Sequence, residues 1–147
     1  MLKGIPEIIT PEMLKVLDEM GHGDTLVIGD LNFPAASIAA AENHINLRAD
    51  GHRATEVLDA VLQLFPLDGF VEHPVTIMDK MERDKDLKTP VWDEFTDIVS
   101  KYDERGKNAI TFTDRFTFYD LAKKSYAVIS TTEKAFYACV ILQKGCL

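Results

Sequence analysis

Thr25-Leu26-Val27-Ile28-Gly29-Asp30 is the stretch that decides the fold. Its first part, Thr25 to Ile28, is a nearly continuous apolar run, and it ends at a turn-forming Gly-Asp pair. Such a short run is typical of a strand that is buried on both faces of a sheet. Upstream, Thr10 and Pro11 predict the start of a helix, because threonine caps a helix N-terminus and proline suits its first turn. A helix followed by a buried strand indicates an α/β fold.

The rest of the chain continues to alternate between helical and strand patterns. We predict helices near residues 34–42, 53–65, 92–102 and 115–123, and strands near residues 45–47, 75–81, 109–112, 126–130 and 138–142. The polar segment 81–90 is predicted to be a solvated loop. We therefore expect one domain, residues 1–147, with a three-layer α/β/α fold and a mostly parallel sheet. The last two strands, joined by a short connection, are predicted to form an antiparallel hairpin.

Charge and composition exclude several classes of partner. The 147 residues include 16 Lys and Arg and 24 Asp and Glu, so the formal net charge is −8. An acidic chain lacks the basic stripe that neutralises nucleic-acid phosphates, and an anionic membrane surface does not attract it. No apolar run approaches the ~20 residues that span a bilayer, and the N-terminal segment has no long apolar signal core. We predict no nucleic-acid or membrane partner and a cytoplasmic location, where Cys139 and Cys146 form no disulfide framework.

The common cofactor motifs are absent from the sequence. The histidines show no helical i, i+4 pair, and there is no Cys-x-x-Cys motif, so no metal site is predicted. No glycine-rich phosphate-binding loop follows the first strand, and the Gly-x-Ser-x-Gly motif of hydrolases is missing. We therefore expect neither a metal nor a nucleotide cofactor. His44, His52 and His73 are interpreted as surface residues.

A set of polar residues lies at the ends of the predicted elements: His22, Asp30, Asp114, Arg115, Tyr119 and Tyr137. Taken singly, each also fits a structural role. The helix dipole favours a histidine just after a helix, an aspartate such as Asp114 caps the helix that follows it, and tyrosines pack at the rim of a core. Residue type alone therefore leaves the structural and the functional interpretations of this set open.

Five motifs in register carry a resemblance to a known family. They are Gly21-His22-Gly23-Asp24, Asp30-x-x-Phe33-Pro34-Ala35-x-Ser37, Arg48-Ala49-Asp50-Gly51, Asp114-Arg115-Phe116-x-Phe118-Tyr119, and Tyr137 with Lys144-Gly145. No single motif is specific, but together and in this order they resemble the L-fucose mutarotase / D-ribose pyranase family over essentially the whole chain. The Gly-His-Gly-Asp and Phe-Pro-Ala-x-Ser motifs resemble its fucose branch.

The resemblance implies an isomerase that interconverts the α and β anomers of a monosaccharide, L-fucose or a related sugar, without a cofactor. Opening the ring needs only a proton taken from the anomeric hydroxyl and one given to the ring oxygen. By resemblance, His22 is the catalytic proton donor. The residues that the resemblance implies around the sugar are Asp30, Arg115, Tyr119, Tyr137, Ala138 and Cys139. The family also forms ring-shaped decamers, so a homodecamer is expected.

The first strand separates His22 from Asp30. Eight residues at about 3.3 Å each put these two up to roughly 26 Å apart along an extended segment. Open α/β folds bind ligands at the carboxyl edge of the sheet, where Asp30 lies. Arg115 is expected at the same edge, and so is Tyr137, because the last strand of a hairpin starts where its partner ends. His22 belongs to the opposite edge, so we predict a composite site in which a neighbouring subunit supplies His22.

Three departures from the family pattern lie near the expected sugar, and one of them is a longer segment around Ala39–Asn46. Ala138 and Cys139 stand where the fucose branch typically has Gly-Asn, and Leu31-Asn32 replaces the usual Ala-His. A thiol is a weaker hydrogen-bonding group than an amide. The sequence therefore leaves four functions open: an L-fucose mutarotase, a D-ribose pyranase, a sugar-binding protein that does not catalyse, and an oligomer without a ligand.

Overall fold

Helices and strands alternate along the chain in the computed structural model, which describes residues 2–42 and 44–147. The helices are α1 (Pro11–Glu19), α2 (Ala35–Ala40), α3 (Ala54–Leu62), α4 (Pro90–Tyr102) and α5 (Arg115–Ala122). The strands are β1 (Thr25–Gly29), β2 (Ile45–Ala49), β3 (Val75–Met78), β4 (Ile110–Thr113), β5 (Ala127–Thr131) and β6 (Val140–Gln143). Every predicted helix and strand is present, with bounds that differ by a few residues. The segment predicted as a solvated loop, 81–90, contains a 3-10 turn, Glu82–Asp84.

β1 lies inside a six-stranded sheet with the order β2-β5-β1-β6-β3-β4. Leu26 and Ile28 pack into the core on one face of the sheet, and Val27 packs into the core on the other. This alternation is the side-chain period of a strand, and it buries all three residues completely. α1, α3 and α4 cover the first face, and α2 and α5 cover the second. The predicted three-layer α/β/α fold is confirmed.

The predicted hairpin between the last two strands is wrong. β5 pairs in parallel with β1 on one side and with β2 on the other, so both of its edges are occupied. β6 instead lies between β1 and β3 and is antiparallel to both. The connection, residues 132–139, is long enough to pass across the end of β1, because neighbouring strands are only about 4.8 Å apart. The antiparallel direction predicted for the C-terminal strand is confirmed.

The other five strands run parallel to one another, so their carboxyl ends meet at one edge of the sheet. Asp30 follows β1 and Arg115 follows β4, so both residues lie at this edge. Tyr137 precedes β6, and an antiparallel strand begins where its parallel neighbours end. Tyr137 therefore reaches the predicted edge, although the reason is the direction of β6 inside the sheet and not a hairpin turn.

Candidate functional site

A cavity of about 440 Å³ opens at the carboxyl edge of the sheet. This volume lies within the about 300–1,000 Å³ that is typical of small-molecule sites. Residues from the predicted sugar-binding set that line it are Asp30, Arg115, Tyr119, Tyr137 and Cys139. The fold gathers these residues from distant parts of the sequence, since Asp30 and Cys139 are 109 positions apart.

Asp30 is buried at the end of β1, with 7% of its surface exposed. Its Oδ1 accepts a hydrogen bond from the backbone N–H of Asn32 at 2.9 Å. Burial raises the pKa of the Asp30 carboxyl above its usual value, and hydrogen bonds from the Cys139 thiol and from nearby backbone N–H groups oppose that rise. These donors fix the orientation of the carboxyl group, so that Asp30 is ready to accept a hydrogen bond from a ligand hydroxyl.

Cys139 and Ala138 are buried beside Asp30. The Asp30 backbone N–H donates to Cys139 Sγ at 3.5 Å. Burial, followed by the charge of Asp30, raises the pKa of the Cys139 thiol well above its usual value, so the thiol stays protonated and donates to the Asp30 carboxyl. The methyl group of Ala138 belongs to the core rather than to the cavity wall, and its backbone N–H donates to Asp30. Ala138 therefore contributes to the site through its backbone.

Arg115 is the first residue of α5 and follows the N-cap residue Asp114. The Asp114 carboxylate accepts hydrogen bonds from the backbone N–H groups of Phe116 and Thr117 at 3.0 and 3.1 Å, so Asp114 is a helix cap. One helical turn further on, the Tyr119 hydroxyl accepts a hydrogen bond from Arg115 Nε at 2.9 Å. A guanidinium group has five N–H donors, so this contact orients Arg115 and leaves donors for a ligand.

Tyr137 has a φ of 59°, in the left-handed region that few residues other than glycine adopt. Its carbonyl oxygen accepts a hydrogen bond from Trp92 Nε1 at 3.0 Å. Its hydroxyl donates to the Asp84 carboxylate and accepts a hydrogen bond from the backbone N–H of Met81 at 3.3 Å. Strained backbone of this kind is concentrated at functional sites. Tyr137 is thus held on the cavity wall by its backbone carbonyl and by its hydroxyl.

His22 lies at the amino edge of the sheet, in the turn before β1. Its Nε2 is 3.2 Å from Oδ2 of Asp68, a carboxylate with 2% of its side chain exposed. The Phe70 backbone N–H and the Gln143 side-chain amide also donate to Asp68, at 2.8 and 3.0 Å. These hydrogen bonds, led by the one from Phe70, lower the pKa of Asp68 below its usual value, so the carboxylate stays ionised beside the imidazole. Asp68 therefore orients the His22 ring.

The two edges of the sheet divide the predicted site residues into two groups. His22 lies where β1 begins, outside the cavity, and its side chain is 47% exposed. Asp30 lies where β1 ends, on the cavity wall. β1 thus lies between His22 and Asp30 within one chain, in the order that strand geometry predicts. A single chain therefore does not bring His22 to the cavity.

Sequence analysis missed two carboxylates that hold predicted site residues in place. Asp68 contacts His22 from 46 positions away, and Asp84 contacts Tyr137 from 53 positions away. The Asp68-Gly69 pair predicts a turn but no partner, and Asp84 lies in the segment predicted to be a solvated loop. No local pattern could have found either contact, because each joins two connecting segments that are far apart in the sequence.

Two kinds of feature are absent from the described part of the chain. Within residues 2–42 and 44–147, no group of three or more His, Cys, Asp and Glu side chains is placed so that it could hold a metal ion. Within the same residues, no helix has the length and apolar character needed to cross a membrane.

Comparison with known proteins identifies the family. The family model of the RbsD / FucU transport protein family matches residues 3–147. The chain belongs to this family. The human fucose mutarotase is 45% identical over 148 residues, which cover 99% of this chain and 94% of the human protein. The family membership expected from the sequence motifs is confirmed.

Two crystal structures of similar proteins share the fold. FucU from Bifidobacterium longum has a TM-score of 0.95 and 52% sequence identity, with 99% of both chains covered. The fucose mutarotase from Streptococcus pneumoniae, solved in complex with L-fucose, has a TM-score of 0.89 and 37% identity, again with 99% of both chains covered. The six-stranded mixed sheet with helices on both faces is therefore a fold of the RbsD / FucU family.

Proposed function

We propose that this chain is a fucose mutarotase, which interconverts the α and β anomers of L-fucose or a related monosaccharide without a cofactor. The cavity at the carboxyl edge carries the proposal, because it gathers Asp30, Arg115 and Tyr137 around a space suited to a small polar ligand. The relatives support the same reaction, since the human relative is named a fucose mutarotase and the streptococcal one was solved with L-fucose.

The reaction opens and recloses a cyclic hemiacetal. A base takes the proton of the anomeric hydroxyl while an acid gives a proton to the ring oxygen, and the bond between the anomeric carbon and the ring oxygen breaks. The anomeric carbon becomes an aldehyde carbonyl, which rotates and presents its other face. The reverse proton transfers then close the ring as the other anomer. General acid–base catalysis, which typically contributes roughly 10²–10⁴-fold, is all that these steps require.

His22 is the proposed proton donor, and it takes the proton back when the ring closes. Histidine is the side chain that both donates and accepts protons near neutral pH. Because Asp68 engages Nε2, Nδ1 is the nitrogen that exchanges a proton with the sugar. The Asp68 carboxylate also stabilises the imidazolium that forms in each catalytic cycle, as an aspartate beside a catalytic histidine does.

The residues on the cavity wall bind and orient the sugar. Asp30 accepts hydrogen bonds from sugar hydroxyls, and Arg115 donates to them. Tyr119 holds the Arg115 guanidinium, and Tyr137 presents its phenolic oxygen to the cavity. Cys139 contributes the thiol that orients Asp30.

The complete site combines two subunits, and a neighbouring subunit supplies His22. The position of β1 between His22 and Asp30 supports this arrangement. Phe70 beside His22 and Phe136 on the cavity wall support it as well, because they are 81% and 60% exposed and a partner subunit would cover them. The proposed assembly is a ring-shaped homodecamer, as the family resemblance implies.

The proposed setting is the cytoplasm, with the whole chain acting as one mutarotase-like domain. The formal net charge of −8 supports a partner set without nucleic acid or anionic membrane surfaces. The ligand is then a free monosaccharide, and the macromolecular partners are further copies of this chain.

A sugar-binding protein that does not catalyse is the second candidate function, and Cys139 is the observation that favours it. The thiol is buried against Asp30, where the fucose branch typically has an asparagine amide. A thiol replaces amide donors and acceptors poorly, so the sugar loses a hydrogen-bonding partner at this point of the cavity.

The test of the proposed function is NMR saturation transfer between the α and β anomeric protons of L-fucose, with and without the protein. D-ribose, D-galactose and L-rhamnose are measured beside it. We expect faster exchange for L-fucose and little change for the others. Faster exchange for D-ribose alone would identify a pyranase. Binding of L-fucose without faster exchange would identify a sugar-binding protein.

Replacing Asp68 with asparagine is expected to lower kcat for anomer exchange by about 10–100-fold and to leave KM nearly unchanged. The change removes the charge that stabilises the His22 imidazolium, while the contacts of the sugar with the cavity remain. Saturation-transfer rates at several sugar concentrations give both constants. Glu72→Gln, which alters an exposed carboxylate near the same loop, is the matched control. A rise in KM without loss of kcat would contradict the role of Asp68.

The affinity for L-fucose is expected to fall as the pH is lowered, because protonation of Asp30 removes an acceptor from the cavity. Burial raises the pKa of Asp30 above the usual 3.8, so the loss begins at a higher pH than an exposed aspartate would give. A charged hydrogen bond is at stake, so binding should weaken by about 10-fold or more. Isothermal titration calorimetry across the pH range measures this profile. Asp30→Asn is expected to bind weakly at every pH, and an unchanged pH profile in that variant would contradict the assignment.

A further inference from the structure

The loop after β3 forms one wall of the cavity. Its 3-10 turn, Glu82–Asp84, places the Asp84 carboxylate on that wall, and Leu87 follows on the same wall. The Lys80 ammonium donates to the carbonyl oxygens of Lys85 and Leu87 at 3.1 and 3.0 Å. These bonds close the loop on itself, so Asp84 faces the cavity from a backbone of defined shape.

The hydrogen bonds of the Tyr137 hydroxyl fix the direction of its proton. The Met81 backbone N–H can only donate, so it uses a lone pair of the phenolic oxygen. The ionised Asp84 carboxylate can only accept, so the phenolic O–H donates its hydrogen bond to Asp84. A tyrosine hydroxyl has one proton and two lone pairs, and one lone pair therefore remains. Toward a ligand in the cavity, Tyr137 is an acceptor.

The protonation states of the pair agree with this direction. The hydrogen bond from Tyr137 lowers the pKa of Asp84 below its usual value. Burial, followed by the hydrogen bond to Asp84, raises the pKa of Tyr137 above its usual value. At neutral pH the carboxylate is therefore ionised and the phenol is neutral. The hydrogen bond from Trp92 to the Tyr137 carbonyl fixes the backbone end of the same residue.

We propose that Asp84 is a positioning residue for the sugar: it accepts a hydrogen bond from the Tyr137 hydroxyl and thereby leaves the Tyr137 oxygen to accept a hydrogen bond from one sugar hydroxyl. The inference rests on the proposed function, because it requires L-fucose in the cavity. It also gives the site a means of selection. An oxygen that only accepts pairs with a hydroxyl, and it disfavours a carbonyl or ether oxygen at that position of the ligand.

The test is a double-mutant cycle on L-fucose binding, with Asp84→Ala, Tyr137→Phe and the double variant. Each single variant is expected to weaken binding by about 3–10-fold, as loss of one hydrogen bond does. If Asp84 acts through Tyr137, the double variant binds as weakly as Tyr137→Phe and no more weakly. For Asp84→Ala, KM should rise while kcat changes by less than about twofold. Losses that multiply in the double variant would overturn the proposal.

Two further variants keep the test decisive. Asp86→Asn changes an exposed carboxylate of the same loop, and its affinity is expected to match that of the wild type. Asp84→Asn retains an oxygen that can accept a hydrogen bond from the phenol, so it should recover part of the affinity, and it replaces Asp84→Ala in the cycle if that variant does not fold. A wild-type protein that neither binds L-fucose nor speeds its anomer exchange would refute the proposed function. If the wild type does bind L-fucose but the losses of the two single variants multiply in the double variant, only the role of Asp84 is refuted.

Discussion

Replacing His22 with alanine is expected to slow the exchange between the anomers of L-fucose by about 10²–10⁴-fold, the usual contribution of a general acid–base group. Binding should weaken by less than about 10-fold, because the groups that hold the sugar lie on the cavity wall at the other edge of the sheet. Saturation transfer measures the exchange rate, and isothermal titration calorimetry measures the dissociation constant. A loss of rate with little loss of affinity separates an enzyme from a simple binder.

His73→Ala is the matched control for this variant. His73 also lies at the amino edge of the sheet, shortly before β3, and its Nδ1 is 2.8 Å from the Asn108 carbonyl oxygen. Its removal should leave the exchange rate at the wild-type value. An active wild type whose rate survives His22→Ala would show that another group transfers the proton.

Mixed oligomers of two inactive variants are expected to regain activity. One chain carries His22→Ala, and the other carries Asp30→Asn together with Arg115→Ala, so the first lacks the proton donor and the second lacks the sugar-binding groups. A site that takes its cavity from the first chain and its histidine from the second is intact. In a random one-to-one assembly, roughly a quarter of the sites meet this condition, because each partner of a site is the right one half of the time.

Co-expression of the two chains with different affinity tags, followed by purification on both tags, gives the mixed oligomers. The exchange rate per chain should reach about a quarter of the wild-type rate. Each variant alone, and the two variants mixed after separate purification, serve as controls and should stay inactive. Co-assembled chains with no more activity than these controls would show that each site takes His22 and Asp30 from the same chain.

The fold was predictable where the signal is local. The apolar run of β1 and the Thr10-Pro11 start of α1 depend on neighbouring residues, and both are confirmed. That β5 and β6 do not pair with each other was not predictable from their short connection. β5 is apolar on both faces and has a parallel neighbour on each side. This pairing depends on contacts across the whole sheet and not on the segment between β5 and β6.

The candidate site likewise contains residues that the sequence predicts and residues that only the structure reveals. Asp30, Arg115 and Tyr137 come at strand ends, and strand direction was sufficient to bring them to one cavity. Asp68 and Asp84 were not predicted, because the local sequence around a carboxylate in a polar loop does not show whether it faces water or a distant side chain. Their roles follow from how two loops fold back onto the sheet, and this packing depends on the complete structure.

β6 serves both edges of the sheet. Tyr137, Ala138 and Cys139 lead into it at the cavity, and Gln143 at its other end donates to the carboxylate that orients His22. If sites are shared between subunits, β6 of one chain then supports two active sites. One is formed by the cavity of that chain, and the other is the site of a neighbouring chain to which it supplies His22. A one-residue shift in the register of β6 would turn its buried side chains to the opposite face of the sheet and inactivate both sites. In a ring that contains both wild-type chains and chains with a shifted β6, each site needs two wild-type chains. Activity would therefore fall as the square of the wild-type fraction.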